Sequence, residues 1–259
     1  MNLSKARSGL LQRLQRRKQR EREGCFVVEG VRAARAVLGA ELAVRFAVVS
    51  PRLAELDADG TLAEVLSRAK FDVVTIEDKE LAAHSDTMSP QGILLVCDEP
   101  QATLEQLRVR DGGLLVADAI QDPGNLGAMI RSAAAFGLAG LVALDGTVDT
   151  WNAKVVRGSA GASFRLPVVR ATCAELLSFV AAQDVRLLAA DSIGGDVAAS
   201  DKSLPWALAI GNEGAGLRVE LRQAAADTVT VPMRPDADSL NAGAAAAILC
   251  YELTRGAHS

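Results

Sequence analysis

Histidine and paired cysteine are nearly absent from this 259-residue chain, and their scarcity removes several kinds of chemistry at once. Two histidines, His84 and His258, and four cysteines, Cys25, Cys97, Cys173 and Cys250, are scattered without a CxxC pair. A zinc site needs clustered thiolates and imidazoles, so no metal is expected. Scattered cysteines suit free thiols in a reducing cytosol. No apolar run approaches the ~18–20 residues of a membrane span. The N-terminal charges run through a long polar stretch with no apolar segment behind them, unlike a secretory signal. A cytoplasmic protein without metal or membrane association is expected. Hydrophobic residues still make up 49% of the chain, too many for a largely disordered protein.

Negative charge prevails overall, at −4, but it is unevenly placed. Residues 1–24 hold eight basic side chains against Glu21 and Glu23, which is +6, leaving 20 basic against 30 acidic, or −10, for the rest. A basic arm on an acidic body suits a protein that grips a polyanion at one end, although a run of this kind is also what a solvated helix face looks like.

The spacing predicts two α/β domains. In the first, a polar helix over about 3–22 carries the basic residues. A strand at Cys25–Val28, a helix at Glu29–Leu38 and a strand at Arg45–Val49 follow. A helix at Leu53–Arg68, strands at Asp72–Thr75 and Ile93–Cys97, and a short helix near Lys79–His84 complete it. The polar, proline-containing stretch from Asp98 marks a linker over about 98–110, giving domains 1–103 and 111–259. The second half has buried apolar runs at Leu114–Asp118, Gly140–Ala143, Arg186–Ala190, Ala207–Ile210 and Thr228–Val231. Helical patterns lie between most of them, which describes a parallel sheet covered on both faces. Ligands bind beyond the carboxyl ends of such strands.

Three polar or glycine-rich segments fall directly after strands. The first, Asp122-Pro-Gly-Asn-Leu-Gly-Ala-Met-Ile-Arg131, makes a turn with Asn125 as a candidate N-cap and runs into a helix to Phe136. It puts Arg131 among small apolar residues, where it either snorkels to solvent or meets an anion. The second, Gly211-Asn-Glu-Gly-Ala-Gly216, is either a plain tight turn or a close backbone approach to a ligand. Glu213 would repel a pyrophosphate and no P-loop lysine is present, which disfavours a dinucleotide oxidoreductase. In the third, Val231-Pro-Met233 leads through a polar loop to Ser239-Leu-Asn241 and a helix to about Leu253. Ser239 is the N-cap candidate, and Asn241 is a poor residue for a first helical turn.

Taken together, these segments resemble the three signature motifs of the SpoU (TrmH-like) family of RNA 2′-O-ribose methyltransferases in the SPOUT superfamily. The match is N-x-G-x-x-x-R at Asn125, Gly127 and Arg131, then GNEG at Gly211–Gly214, then P-M…S-L-N at Pro232-Met233 and Ser239–Asn241. The stretch from Lys154 through Arg157 to Pro167-Val168 is similar to the family's K-x-x-R-x-S-x-G segment. Asn241-Ala-Gly-Ala departs from the pattern, where a larger or hydroxylated residue is expected. Phe26-Val-Val-Glu-Gly30 and Ser89-Pro-Gln-Gly-Ile93 are similar to phrases in the family's N-terminal substrate-binding domain.

The resemblance implies a small α/β RNA-binding domain followed by a parallel-sheet SPOUT domain closed by a deep trefoil knot, in a homodimer whose active site is completed at the dimer interface. It implies S-adenosylmethionine as cofactor, held at Gly211, Val231 and Leu240 with Asn212 and Met233 nearby. It gives catalytic roles to Arg131, Asn125, Glu213, Ser239 and Asn241. RNA would be met by Arg13, Arg16, Arg17, Lys18 and Arg20 of the arm and by Lys154 and Arg157. Arg131 would either accept the 2′-hydroxyl proton or stabilise the alkoxide, and a guanidinium, which does not give up its proton in proteins, favours stabilisation. The extra N-terminal domain favours 23S ribosomal RNA over transfer RNA. A non-catalytic RNA-binding protein on the same fold is the remaining alternative.

Overall fold

Two sheets organise the chain, each with its own core. The computed structural model describes residues 3–234 and 239–255. One compact unit comprises residues 1–100 with 151–164, and the other 101–150 with 165–259.

The first unit has four strands, β1 (Cys25–Glu29), β2 (Val44–Val49), β3 (Asp72–Thr75) and β4 (Ile93–Asp98), in the order β1-β4-β2-β3. β4 is antiparallel to both neighbours and β3 is parallel to β2. Three expected helices are shortened or divided, each through one polar side chain. The basic N-terminal stretch is two helices, Lys5–Leu14 and Arg17–Glu23. Arg20 turns inward at the break and donates from Nη1 to the Leu14 carbonyl at 2.6 Å, satisfying an orphan acceptor of the first helix. The expected helix Leu53–Arg68 is Arg52–Leu56 and Thr61–Ser67. Asp57 interrupts it, because its buried carboxylate accepts from the Leu62 and Ala63 amides and pairs with Arg35. Glu29 belongs to β1 and not to the following helix, Val31–Gly39; its carboxylate accepts from Ser85, Asp86 and Thr87.

Residues 151–164, which the boundary 111–259 assigns to the second domain, pack into the first unit's core. Trp151 stacks on Phe26 with centroids 4.4 Å apart, and Phe164 lies 6.4 Å away on the same ring. Val156 joins that cluster. Three large apolar side chains in one short polar-flanked segment are enough to draw it into a core. Lys154 and Arg157 therefore stand on this unit.

The second unit is a six-stranded sheet, parallel throughout, of β5 (Leu114–Ala117), β6 (Gly140–Leu144), β7 (Val168–Ala171), β8 (Arg186–Asp196), β9 (Trp206–Ile210) and β10 (Asp227–Thr230). Its order is β10-β8-β9-β5-β6-β7. β5, β6 and β9 are wholly buried, as continuous apolar runs require. β7 escapes the apolar-run pattern because it is an edge strand whose second half, Arg170-Ala171, is open to solvent. β8 runs past the expected Ala190 to Asp196, and its outer half pairs with β10 alone. The Ala242–Thr254 helix lies against the Pro123–Ala135 helix. Gly243 permits this: a Cβ there would sit 3.0 Å from Ala128 Cβ, so the departure at Asn241-Ala-Gly-Ala is a close helix contact.

Among the described residues, no helix is long and apolar enough to cross a membrane, and no group of three or more His, Cys, Asp or Glu could hold a metal ion. All four cysteines are free thiols. Replacing the core residue Trp151 by Ala should lower stability by about 3–5 kcal/mol, read from the denaturant midpoint. A silent substitution would mean that the segment only rests on the unit's surface.

Candidate active site

The strand order reverses between β9 and β5, the kind of point at which open α/β sheets bind ligands. A cleft of about 220 Å³ opens beside it, at the carboxyl ends of β9 and β10 and against the middle of β8. Its walls are Ala190–Ser192 of β8, the loop 211–216 after β9, residues 230–233 leaving β10, and Ser239 to Leu249 at the start of the last helix.

The 211–216 loop is built by its own backbone. A Cβ on Gly211 would fall 2.3 Å from the Gly216 carbonyl carbon and the Leu217 nitrogen, so only glycine allows the chain to fold back there. Asn212 and Gly216 exchange amide–carbonyl bonds of 3.1 and 2.9 Å. The Asn212 side chain accepts from the amides of Gly214 and Ala215 and donates to the Ala119 carbonyl at 3.0 Å. Its oxygen is committed to the loop and its nitrogen to the segment after β5, so Asn212 shapes the cleft wall.

That leaves Glu213 at the crest. Its Oε1 accepts from Asn125 Nδ2 at 2.7 Å. Asn125 is free to donate because it is not the N-cap: Asp122 caps the Pro123–Ala135 helix, accepting from the Asn125 amide at 2.8 Å. The third segment shows the same exchange of roles. Asn241, not Ser239, is the N-cap of the last helix, and its side chain accepts from the Ala244 amide at 2.7 Å. Asn125 Oδ1 lies within 3.3 Å of where a Gly243 Cβ would be, so all three segments meet at Asn125. Gly211, Val231, Met233, Ser239 and Leu240 line the cleft, and Met233 and Leu240 present exposed apolar side chains to it.

Arg131 is not brought to this cleft. It is exposed, does not line the cavity, and its side chain has no hydrogen bond or ion pair among the described residues. Of the basic arm, Arg16 and Lys18 are exposed and unpaired among the described residues. Arg13 is bonded to Glu23 and Arg17 to Glu21. Arg20 is buried, which removes it from any surface that meets a polyanion. Lys154 is exposed, while Arg157 is half-buried with its Nη1 enclosed and unpartnered among the described residues.

The motif reading does not include Arg218, which organises the rim. Its amide and Nε donate to the two oxygens of Asp118 at 2.8 and 2.7 Å. Its Nη1 reaches the Asp145 carboxylate at 3.1 Å and its Nη2 the Asp145 carbonyl at 2.8 Å. Two strand ends, β5 and β6, are thus tied by one side chain to the segment that follows β9. Burial works to lower the Arg218 pKa, but the hydrogen bond and charge of Asp118, with those of Asp145, outweigh it and raise it above the ordinary arginine value. The only local signal was an acid closing an apolar strand at Asp118. Arg218→Ala should cost about 3–5 kcal/mol, because it leaves a buried carboxylate unpaired. The further change Asp118→Asn should recover part of that loss. Urea unfolding of the single and double variants checks both, and equal stabilities would show that the pair does not act as a unit.

The comparisons with known proteins agree with this fold. The SpoU rRNA Methylase family profile matches residues 113–251, and that of the MRM3-like substrate binding domain matches residues 10–95. The 23S rRNA (guanosine(2553)-2′-O)-methyltransferase RlmP of Bacillus subtilis (strain 168) is 34% identical over 244 residues, 93% of each chain. A 23S rRNA (uridine(2479)-2′-O)-methyltransferase of Streptomyces viridochromogenes is 37% identical over 175 residues, 64% of this chain and 61% of its own. The crystal structure of the SpoU methyltransferase AviRb from Streptomyces viridochromogenes, in complex with AdoMet, matches with a TM-score of 0.90 at 31% identity and covers 99% of both chains. The AdoMet-bound rRNA methyltransferase from Sinorhizobium meliloti matches with a TM-score of 0.86 at 25% identity, covering 98% of this chain and 96% of its own. The chain belongs to the SpoU rRNA methylase family.

Proposed function

We propose that this chain methylates a ribose 2′-hydroxyl of 23S ribosomal RNA with S-adenosylmethionine as methyl donor. The observation that carries the reading is the Asn125–Glu213 bond at the cleft, with the third motif alongside it. Two relatives named for 23S rRNA differ in the base, guanosine in one and uridine in the other, and share the ribose oxygen. The common chemistry is therefore the 2′-hydroxyl, in a cytoplasmic RNA.

The cleft suits such a cofactor. Its lining is apolar at Met233, Leu240 and Leu249, and the backbone amides of Met233 and Leu240 have no partner among the described residues. An adenine edge needs donors of that kind beside an apolar surface. When bound, S-adenosylmethionine supplies the electrophilic methyl group. Gly211, Val231 and Leu240 would hold it, between the middle of β8 and the segments leaving β9 and β10, where the family resemblance implies a deep trefoil knot.

The chain's own task is to place the ribose oxygen and manage its proton. Asn125 fixes the Glu213 carboxylate, while Ser239 and Asn241 orient the ribose from the third wall. Arg131 stabilises the developing alkoxide as a permanent cation. It stands outside the cleft of its own chain, so a second copy delivers it. The exposed Ile248 and Tyr251 of the last helix suit a homodimer contact. Arg16, Lys18 and Lys154 are the exposed cations that meet the RNA backbone.

Labelled methyl transfer to unmodified 23S RNA and, separately, to bulk transfer RNA tests the substrate. Label traced to a 2′-O-methyl nucleotide of 23S RNA is expected, and label in transfer RNA alone would overturn the choice of RNA. No label in either RNA, with the cofactor bound, would return the protein to a non-catalytic RNA-binding role. Arg131→Ala should reduce kcat by about 10²–10³-fold with the fold and cofactor affinity intact. Co-refolding equal amounts of Arg131→Ala and Glu213→Ala chains should restore about a quarter of wild-type activity, since half the dimers then carry one intact site. No restoration would show that Arg131 serves its own chain.

A further inference from the structure

Three charged side chains line the cleft among the described residues: Asp191, Glu213 and Arg222. Glu213 is held by Asn125. The other two face each other without closing, for Arg222 Nη2 stands 3.9 Å from Asp191 Oδ2, beyond hydrogen-bond distance. Asp191 is oriented through its other oxygen, Oδ1, which accepts from the Ile193 amide and the Ser192 hydroxyl, both at 3.3 Å. The Arg222 guanidinium lies over the glycine loop, where a Cβ on Gly216 would fall 2.5 Å from Nη2. With half of its side-chain surface exposed, that guanidinium is desolvated on one side and open to the cleft on the other.

We propose that Arg222 and Asp191 form the subsite for the amino-acid end of the methyl donor, Arg222 taking the α-carboxylate and Asp191 the α-ammonium. The proposal rests on the cofactor reading above. S-adenosylmethionine carries one anionic group, the carboxylate, and two cationic ones, the ammonium and the sulfonium. The cleft offers the complement, one cation and two anions. The sulfonium and the ammonium are repelled by Arg222, and the adenine and ribose are neutral, so the carboxylate is the group that gains there. A guanidinium fork matches a carboxylate in two-point geometry. An open, solvent-exposed ion pair such as Arg222–Asp191 is weakly held, so a zwitterion can separate it and replace both halves with closer charges.

Calorimetric titration with three ligands tests this. S-adenosylhomocysteine carries the whole amino-acid end, decarboxylated S-adenosylmethionine keeps only the ammonium, and 5′-methylthioadenosine lacks both. Arg222→Ala should weaken S-adenosylhomocysteine by about 10- to 100-fold, as expected for losing hydrogen bonds to a charged group. It should leave 5′-methylthioadenosine within about twofold, the spread of a change that touches no contact. Arg222→Lys should fall between wild type and Arg222→Ala for S-adenosylhomocysteine. Asp191→Asn should weaken both ammonium-bearing ligands and spare 5′-methylthioadenosine. Unchanged binding of S-adenosylhomocysteine to Arg222→Ala would overturn the subsite. So would equal weakening of 5′-methylthioadenosine, which would assign Arg222 to shaping the glycine loop. Failure of the wild-type protein to bind S-adenosylhomocysteine at all would instead overturn the cofactor reading.

Discussion

Arg218 stands between the carboxyl ends of β5, β6 and β9, and the shape of the rim follows from the bonds it makes there. Asp118 is almost wholly buried, and a carboxylate in that position is costly unless a cation and further donors meet it. Arg218 supplies a backbone amide and a guanidinium edge to it and spends its remaining nitrogens on Asp145. Because Arg218 follows the glycine loop directly, fixing it fixes where residues 211–217 re-enter the fold. The loop's own bonds, between Asn212 and Gly216 and from Asn212 to Ala119, then hold Glu213 at the crest. The site is thus placed by a charged anchor below it and by backbone closure within it.

Capping decides which asparagine does what. Asp122 and Asn241 each satisfy a helix N-terminus, a role that consumes the side-chain oxygen. The cap at Asp122 leaves Asn125 inside the first turn with its amide directed at Glu213. The cap at Asn241 leaves Ser239 ahead of the helix, on the wall of the cleft. Gly243 then lets the two helices approach closely enough for Asn125 to sit beside the start of the last helix. Small residues there have the same consequence as the caps, since both bring polar side chains of distant segments within reach of one another.

The basic arm of the first unit shows how strongly folding can change the meaning of charge. Eight basic residues among the first twenty-four suggest a uniformly cationic surface. In the fold, Arg20 is a buried capping group, Arg7 stacks over Phe46 with its guanidinium 5.0 Å from the ring centroid, and Arg13, Arg17 and Arg22 are paired with glutamates. What remains open to a polyanion is a smaller set, including Arg16 and Lys18.

The sequence by itself determined the α/β alternation, the parallel character of the second sheet and the turns on which the three motifs stand. Each of these is written locally, as apolar runs of strand length, as helical spacing, or as glycine and asparagine at a turn. Strand limits held to within one residue where a strand is buried on both faces, at β5, β6 and β9, and failed at the edge strand β7 and on the overhanging half of β8. Only the tertiary structure decided that Trp151 and Phe164 belong to the first core, that Arg20 is buried, and that Arg131 stands outside the cleft of its own chain. The same holds for the pairing of Asp118 with Arg218, 100 residues apart. The reason is common to all of them. Burial and ion pairing depend on which distant segments meet, and no pattern confined to a few neighbouring residues carries that information.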